Sequence, residues 1–410
     1  MKRVRVRKDG KGYEGIEIPS VNKAFFVLKL NNGYNMGFKR DEIEIEIIEE
    51  FKRETVPPEG SKIEHDKKLE DVSIIGTGGT IASKVDYTTG AVYPAFSPKE
   101  LEKMVPEIFE VANIYPRETL QILSENMDVA KWKKIGQAVM EEIEKGRRIV
   151  IGHGTDTMHY TASFLSFALK NLHVPVILTG SQRSSDRPSS DSRMNLVCSV
   201  RFAITDYEGV VICMHGTMED TFCNIYKGTK VRKNHTSRRD AFESINSRPT
   251  ARVSPDGEIE FFEDLPPLNE GKTYFDDNIE EKVFLLKIFP GISSEILDSL
   301  IDNGYRGVVL EGTGLGHVPS SLYESIKRGV DEGVTFCMTS QCIYGRVNMN
   351  VYQTGRKLQD LGVIPCEDML SEVCYTKMMH VLGHVEAPAE IRSMMRTNMA
   401  GEITEDTVIS

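Results

Sequence analysis

The chain lacks any uninterrupted apolar run near the roughly 18 residues that a membrane-crossing helix needs, so no span and no membrane partner are expected. It has no Cys-x-x-Cys pair. Its seven cysteines (Cys198, Cys213, Cys223, Cys337, Cys342, Cys366 and Cys374) are odd in number, and several lie inside apolar runs such as Val-Val-Ile-Cys213-Met. That usage argues against a disulfide scaffold and for buried, reduced thiols in a cytoplasmic protein. None follows a Gly-x step, so an elbow-type cysteine nucleophile has no candidate. Repeats and low-complexity tracts are missing, and Met1-Lys-Arg-Val-Arg-Val has no apolar segment behind it, so a secretory signal is not expected. Positive charge is in deficit: the net charge is −11, so independent nucleic-acid binding needs a local basic patch. What is present, 40% hydrophobic and 27% charged residues over 410 positions, suits a soluble globular chain too long for one compact core.

The first fifty residues alternate in short runs: Val4/Val6, Tyr13–Ile18, Ala24–Leu30 and Ile43–Ile48. Turn signals at Asp9-Gly10, Pro19-Ser20 and Asn31-Asn32-Gly33 divide them. This pattern predicts a small β-barrel-like domain, or a strongly bent sheet, over residues 1–52. A charged, Pro57-Pro58-containing linker follows over 53–70. From Asp71 short apolar strands alternate with helical periods. Strands are expected at Val72–Ile75, Arg148–Gly152, Val174–Thr179, Val210–Met214, Val283–Ile288 and Gly307–Leu310. Helices are expected at Ser97–Val105, Val129–Lys145, Met158–Leu172 and Ser293–Asn303. The fold class is therefore α/β with a mostly parallel sheet: a large domain over 71–262, a second linker over 263–279 and a smaller α/β domain over 280–410.

Two loops could carry chemistry. Gly76-Thr-Gly78-Gly79-Thr80-Ile-Ala82 closes a strand, where open α/β sheets place ligands. A dinucleotide fingerprint would need glycine at Ile81 and a phosphate loop would need a lysine after the last glycine, so neither phosphate motif fits. The glycines let the backbone approach a ligand and leave Thr80 at the turn; the alternative is a plain helix cap. Gly152-His153-Gly154-Thr155-Asp156-Thr157 repeats the design after a second strand, with helix capping by Asp156 again the alternative. His153 is a tempting base, although a histidine followed by glycine is more often structural.

With a third segment, Leu178-Thr-Gly-Ser181-Gln182-Arg183 running on to Asp191 and Asn195-Leu196, these loops resemble the L-asparaginase family in order and spacing. The resemblance runs from about Val72 to Ser393 and includes Gly304-Tyr-Arg-Gly307 and Gly312-Thr-Gly-Leu-Gly316. It implies an L-asparaginase-like two-domain α/β core. The strand-rich extension, and the wording from Gly76 to Tyr87, resemble the family of D-type subunits of archaeal glutamyl-tRNA(Gln) amidotransferases. That likeness implies an ammonia-releasing protein acting on glutamine or asparagine. It also implies a tRNA-binding, E-type partner that amidates the tRNA-bound glutamate with ATP and Mg²⁺. No cofactor is expected on this chain. Contact with tRNA(Gln) is expected mainly through the partner, and a homodimer within a heterotetramer is implied.

By the same resemblance Thr80 is the nucleophile, and Thr155, Asp156 and a lysine form a second triad. The family pattern selects Lys233 from Gly228-Thr-Lys230-Val-Arg-Lys233-Asn-His-Thr236, with Lys230 as fallback. A hydroxyl needs such a base, and a desolvated lysine can serve. Tyr87 is the expected partner of Thr80, with Tyr93 as rival, and Ser124 and Glu125 match the pair that holds the substrate's α-groups. Amides around Gly78, Gly79 and Gly154 are natural oxyanion donors, each worth about 3 kcal/mol in a transition state. His380 and His384 sit four apart on an expected helix, but no third ligand is evident, so no metal is expected. The first forty residues carry ten Lys/Arg against three Asp/Glu, which reads as a solvated face rather than an RNA motif. Two rival functions stand beside the amidotransferase reading: a free-standing cytoplasmic L-asparaginase, and a catalytically idle scaffold for a tRNA-binding partner.

Overall fold

The computed structural model describes residues 2–18, 20, 23–30, 35–50, 66–78, 83–85, 92–94, 101, 102, 104–183, 189–265 and 269–405. Thr80, Gly79, Tyr87 and most of the helix expected at 97–105 lie outside them.

The N-terminal residues form a five-stranded antiparallel sheet from Lys2–Lys8, Lys11–Ile18, Phe25–Leu30, Asn35–Lys39 and Glu44–Glu50. The first strand pairs with the second on one side and with the last on the other, and the third and fourth extend the sheet beyond the second. Alternation decides the faces. Val4 and Val6 are buried with Phe26, Leu28 and Phe38, while Arg5 meets Glu14 at 2.8 Å and Lys8 meets Glu42 at 2.6 Å. The basic excess of the first forty residues is local: over residues 1–50 the count is ten basic to nine acidic.

The large domain is an eight-stranded sheet. Its order is Ile259–Phe261, Ala251–Val253, Cys223–Lys227, Gly209–His215, Pro175–Thr179, Arg148–Gly152, Asp71–Gly78 and Asn113–Ile122. The last five in that order are parallel, and the first three are antiparallel additions. Val72, Ile74, Ile75, Ile149, Val150 and Ile151 are all buried, the near-continuous apolar composition of strands covered on both faces. The chain runs from Asp71–Gly78 outward to Asn113–Ile122, then returns to place Arg148–Gly152 on the other side of Asp71–Gly78. That reversal makes a crevice at the carboxyl ends of these two neighbouring strands.

The expected helices at 129 and 158 form as Val129–Ile143 and Met158–Ala168. The second is shorter than its periodicity suggests, because Leu169–Lys170 leaves it to pair with Tyr274–Phe275. The stretch read as a linker over 263–279 is thus partly tied down. The Asn113–Ile122 strand carries Pro116 and charge and has no strand period, but as an edge strand it tolerates a residue that cannot donate on one side.

The smaller domain is a four-stranded parallel sheet of Val283–Lys287, Gly307–Gly312, Thr335–Ser340 and Ile364–Pro365. Helix Ser371–His384 joins the two domains. It lies along Met158–Ala168, buries Val373, Met378 and Met379, and brings Thr376 Oγ1 within 2.6 Å of Ser163 Oγ. Each such fully buried side chain stabilises the fold by about 1.5–3 kcal/mol.

Candidate active site

Three loops meet at the crevice. Thr77 Oγ1 donates to the carbonyl of Gly152 at 2.9 Å, and the His153 amide donates to Thr179 O at 2.8 Å, fixing neighbouring strand ends to one another. Gly78 has φ +105°, and a Cβ there would sit 2.1 Å from Ile122 O, so only glycine fits. At Gly154 a Cβ would lie 2.7 Å from the Cβ of Ser124. This close approach lets the 152–157 loop rest on the short helix Ser124–Asn126, where Thr157 Oγ1 donates to Ser124 O at 2.7 Å. Ser124 is buried and Glu125 is exposed beside it.

Thr155 and Asp156 follow at the loop's tip. Lys233 arrives from a separate two-stranded ribbon, Val231–Lys233 with Phe242–Ser244. Its Nζ donates to Thr155 Oγ1 at 2.8 Å and to Asp156 Oδ1 at 2.7 Å. The lysine side chain is 9% exposed and the aspartate 67%, so an almost enclosed ammonium is neutralised from its solvent side. Lys230 does not share this arrangement. Three residues earlier in the chain, it is fully buried and bound to Asp368 Oδ2 at 2.6 Å.

His153 is occupied within the fold. Its Nδ1 donates to Gly154 O at 2.7 Å, and its Nε2 accepts from Thr161 Oγ1 at 2.9 Å, which itself accepts from Trp132 Nε1. Complete burial depresses its pKa to about 4, leaving a neutral ring that holds the loop. The third motif is likewise a scaffold. Asp191 accepts from the amides of Gln182 and Arg183, and Asn195 Nδ2 donates to Gly180 O at 2.9 Å.

Three further groups flank Lys233 that sequence reasoning passed over. His159 lies one helical turn beyond Asp156 with its Nε2 3.8 Å from Glu372 Oε1, and Arg232 Nε lies 3.5 Å from the same oxygen. Burial, then Arg232 and Lys233, push His159 down to about 3, while burial raises the Glu372 carboxyl. The i+4 spacing from Thr155 to His159 was the available signal; Glu372 had none, being 139 residues beyond Lys233 in sequence. Ser83–Val85 pairs with Val92–Pro94, which places the Tyr93 backbone opposite Lys84.

Residues 71–267 match the family model "Asparaginase, N-terminal", residues 282–395 match "Glutaminase/Asparaginase C-terminal domain", and residues 1–48 match "GatD N-terminal domain". The D-type subunit of the Pyrococcus furiosus glutamyl-tRNA(Gln) amidotransferase is 54% identical over 401 residues, covering 96% of this chain and 92% of that protein. Its counterpart in Methanothermobacter thermautotrophicus is 48% identical, over 99% of this chain and 94% of its own length. Among solved structures, the thermostable L-asparaginase of Thermococcus kodakarensis aligns with TM-score 0.74 and 34% identity, over 82% of this chain and 100% of that one. L-asparaginase I of Vibrio cholerae gives TM-score 0.72 and 28% identity over 82% and 99% of the two chains. The chain belongs to the family of glutamyl-tRNA(Gln) amidotransferase D-type subunits, an L-asparaginase-type α/β core behind a strand-rich N-terminal domain.

Proposed function

We propose that this chain is the glutaminase subunit of a tRNA-dependent amidotransferase, releasing ammonia from glutamine or asparagine for conversion of Glu-tRNA(Gln) to Gln-tRNA(Gln). The observation that carries the reading is Lys233 bridging Thr155 and Asp156 at the strand ends, in a chain similar over nearly its whole length to the amidotransferase relatives. A threonine Oγ, Thr80 in the family's scheme, attacks the side-chain carbonyl carbon. The C–N bond breaks, ammonia leaves with the proton it gains, and water hydrolyses the resulting ester to the free acid. As drawn, Lys233 donates to Thr155, so it must first lose a proton to act as base. Asp156 keeps the amine oriented beside the Thr155 hydroxyl. Amides of Gly78, Gly79 and Gly154 would hold the oxyanion, Tyr87 would assist Thr80, and Ser124 and Glu125 would hold the substrate's α-carboxylate and α-ammonium.

The amidation step falls to an E-type partner that binds the tRNA and uses ATP and Mg²⁺, within an assembly built on a dimer of this chain. A free-standing asparaginase is disfavoured because the amidotransferase relative covers 96% of this chain against 82% for the solved asparaginase, and residues 1–48 match the amidotransferase N-terminal domain. No helix among the described residues is long and apolar enough to cross a membrane. The deciding experiment measures ammonia from glutamine and asparagine by the chain alone, and again with partner and glutamyl-tRNA. Release that rises with partner and charged tRNA is expected. Vigorous asparagine turnover indifferent to both would return the free-standing asparaginase, and no release under any condition would leave a scaffold.

A further inference from the structure

The two histidines four apart on the last long helix acquire a third neighbour in the fold. Asp276, from the connector between the domains, brings a carboxylate to them, and one nitrogen from each ring and one carboxylate oxygen lie within 4.8 Å of one another. We propose that Asp276, His380 and His384 form a site for a divalent transition-metal ion of the zinc type, clamping the interdomain connector to helix Ser371–His384.

Four observations support the site. His384 Nδ1 donates to His380 O at 2.8 Å, so its Nε2 is the ring nitrogen that faces Asp276 Oδ2, 2.9 Å away. A ring nitrogen and a carboxylate oxygen at that separation share a cation, a proton or a metal. At metal–ligand bonds of roughly 2.1 Å, atoms this far apart subtend about 90° at an ion, an octahedral cis angle that has to open somewhat for a tetrahedral zinc. Next, His380 is 4% exposed, and of its two ring nitrogens Nε2 faces the site and meets only the Lys170 ammonium among the described residues, while Nδ1 is buried without a partner. Third, exposure grades outward from buried His380 through half-buried Asp276 to exposed His384, which gives an ion a way in. The other cluster of candidate ligands among the described residues, Cys337, Cys366 and Cys374, is sealed in the core. Fourth, a cation is already held at the site: Lys170 Nζ donates to His380 Nε2 at 3.1 Å. A metal would displace that ammonium. Imidazole and carboxylate donors select zinc, cobalt or nickel over calcium or magnesium.

The connector is tied nearby by three other bonds: Asp276 N to Ala168 O at 2.8 Å, Asn278 Nδ2 to Gly383 O at 2.6 Å and Glu280 N to Met379 O at 2.9 Å. The ion would thus add to a preformed junction. The test titrates Co²⁺ and Zn²⁺ into untagged full-length protein carrying Cys342→Ser, which removes the exposed thiol as a rival ligand. The expected result is one ion per chain, visible d–d bands with Co²⁺, and a raised Tm with Zn²⁺. His384→Ala and Asp276→Asn, at accessible positions that should fold, are expected to weaken binding by about tenfold or more. Lys170→Met, which removes the competing ammonium, is expected to tighten it. Absence of d–d bands, or equal affinity in wild type and His384→Ala, would overturn the proposal, and weaker binding by Lys170→Met would remove His380 from the ligand set.

Discussion

The proposed chemistry narrows to one ammonium. Lys233 reaches a hydroxyl and a carboxylate in neighbouring positions, while Lys230, three residues earlier, is spent on Asp368. Lys233→Met is therefore expected to lower ammonia release by about 10²–10⁴-fold, the usual weight of a positioned acid–base group, whereas Lys230→Met should act through stability. Thr155→Ala and Thr80→Ala should each abolish release with an unchanged circular-dichroism spectrum. Near-normal turnover in either would remove that threonine from the mechanism. The buried histidines set an acid limit. His153 and His159 have folded pKa values near 4 and 3, below an unfolded value of roughly 6.5. Between those values the unfolded chain binds more protons, so their contribution to stability is complete above about pH 6.5 and is lost as pH falls toward 4. Tm measured from pH 7.5 to 4.5 should fall along that window, less steeply in His153→Asn. A flat profile would contradict the neutral, buried rings.

At the scale of elements, glycine decides how closely the loops meet. A methyl at position 154 would collide with Ser124, whose short helix underlies the loop carrying Thr155. Gly154→Ala is expected to cost about 1–3 kcal/mol by overpacking and to cut ammonia release at least tenfold, because the displacement falls on Thr155, which the proposed mechanism sets beside Lys233. Activity retained with a lowered Tm would mean that the loop absorbs the shift elsewhere. Much of this level was legible in the sequence. The glycine-rich loops after Val72–Ile75 and Arg148–Gly152 stand out because fully buried parallel strands read as pure apolar runs. The strand at Asn113–Ile122 was hidden by Pro116 and charge, which an edge position tolerates, and Asp276 could not be matched to His380 because 104 residues separate them. Glu372 was hidden for the same reason: a helix periodicity gives its face but not which distant loop it faces.

On the scale of the whole molecule, the N-terminal sheet has its own apolar centre in Val4, Val6, Phe26, Leu28 and Phe38. The entry into the core is specified by Asn113, which is buried, donates to Asp66 O and Leu69 O, and accepts from the Asp66 amide. A chain starting at residue 66 is expected to fold and keep its glutaminase chemistry. One starting at residue 69 loses the Asp66 bonds and should melt several degrees lower, since each bond lost in a buried place costs about 1 kcal/mol. Equal Tm values for the two truncations, or an insoluble product from the longer one, would refute the independence of the core.

The separation of Lys233 from Thr155 has a consequence for the protein's birth. Thr155 and Asp156 leave the ribosome at least 77 residues before Lys233 does, and the ribbon that carries the lysine closes only once Phe242–Ser244 has followed. Until then the nascent chain holds a hydroxyl with no base beside it. If Lys233 is the base, fragments that end before Ser244 are expected to be inert toward glutamine, and ammonia is expected first from molecules whose lysine ribbon has closed.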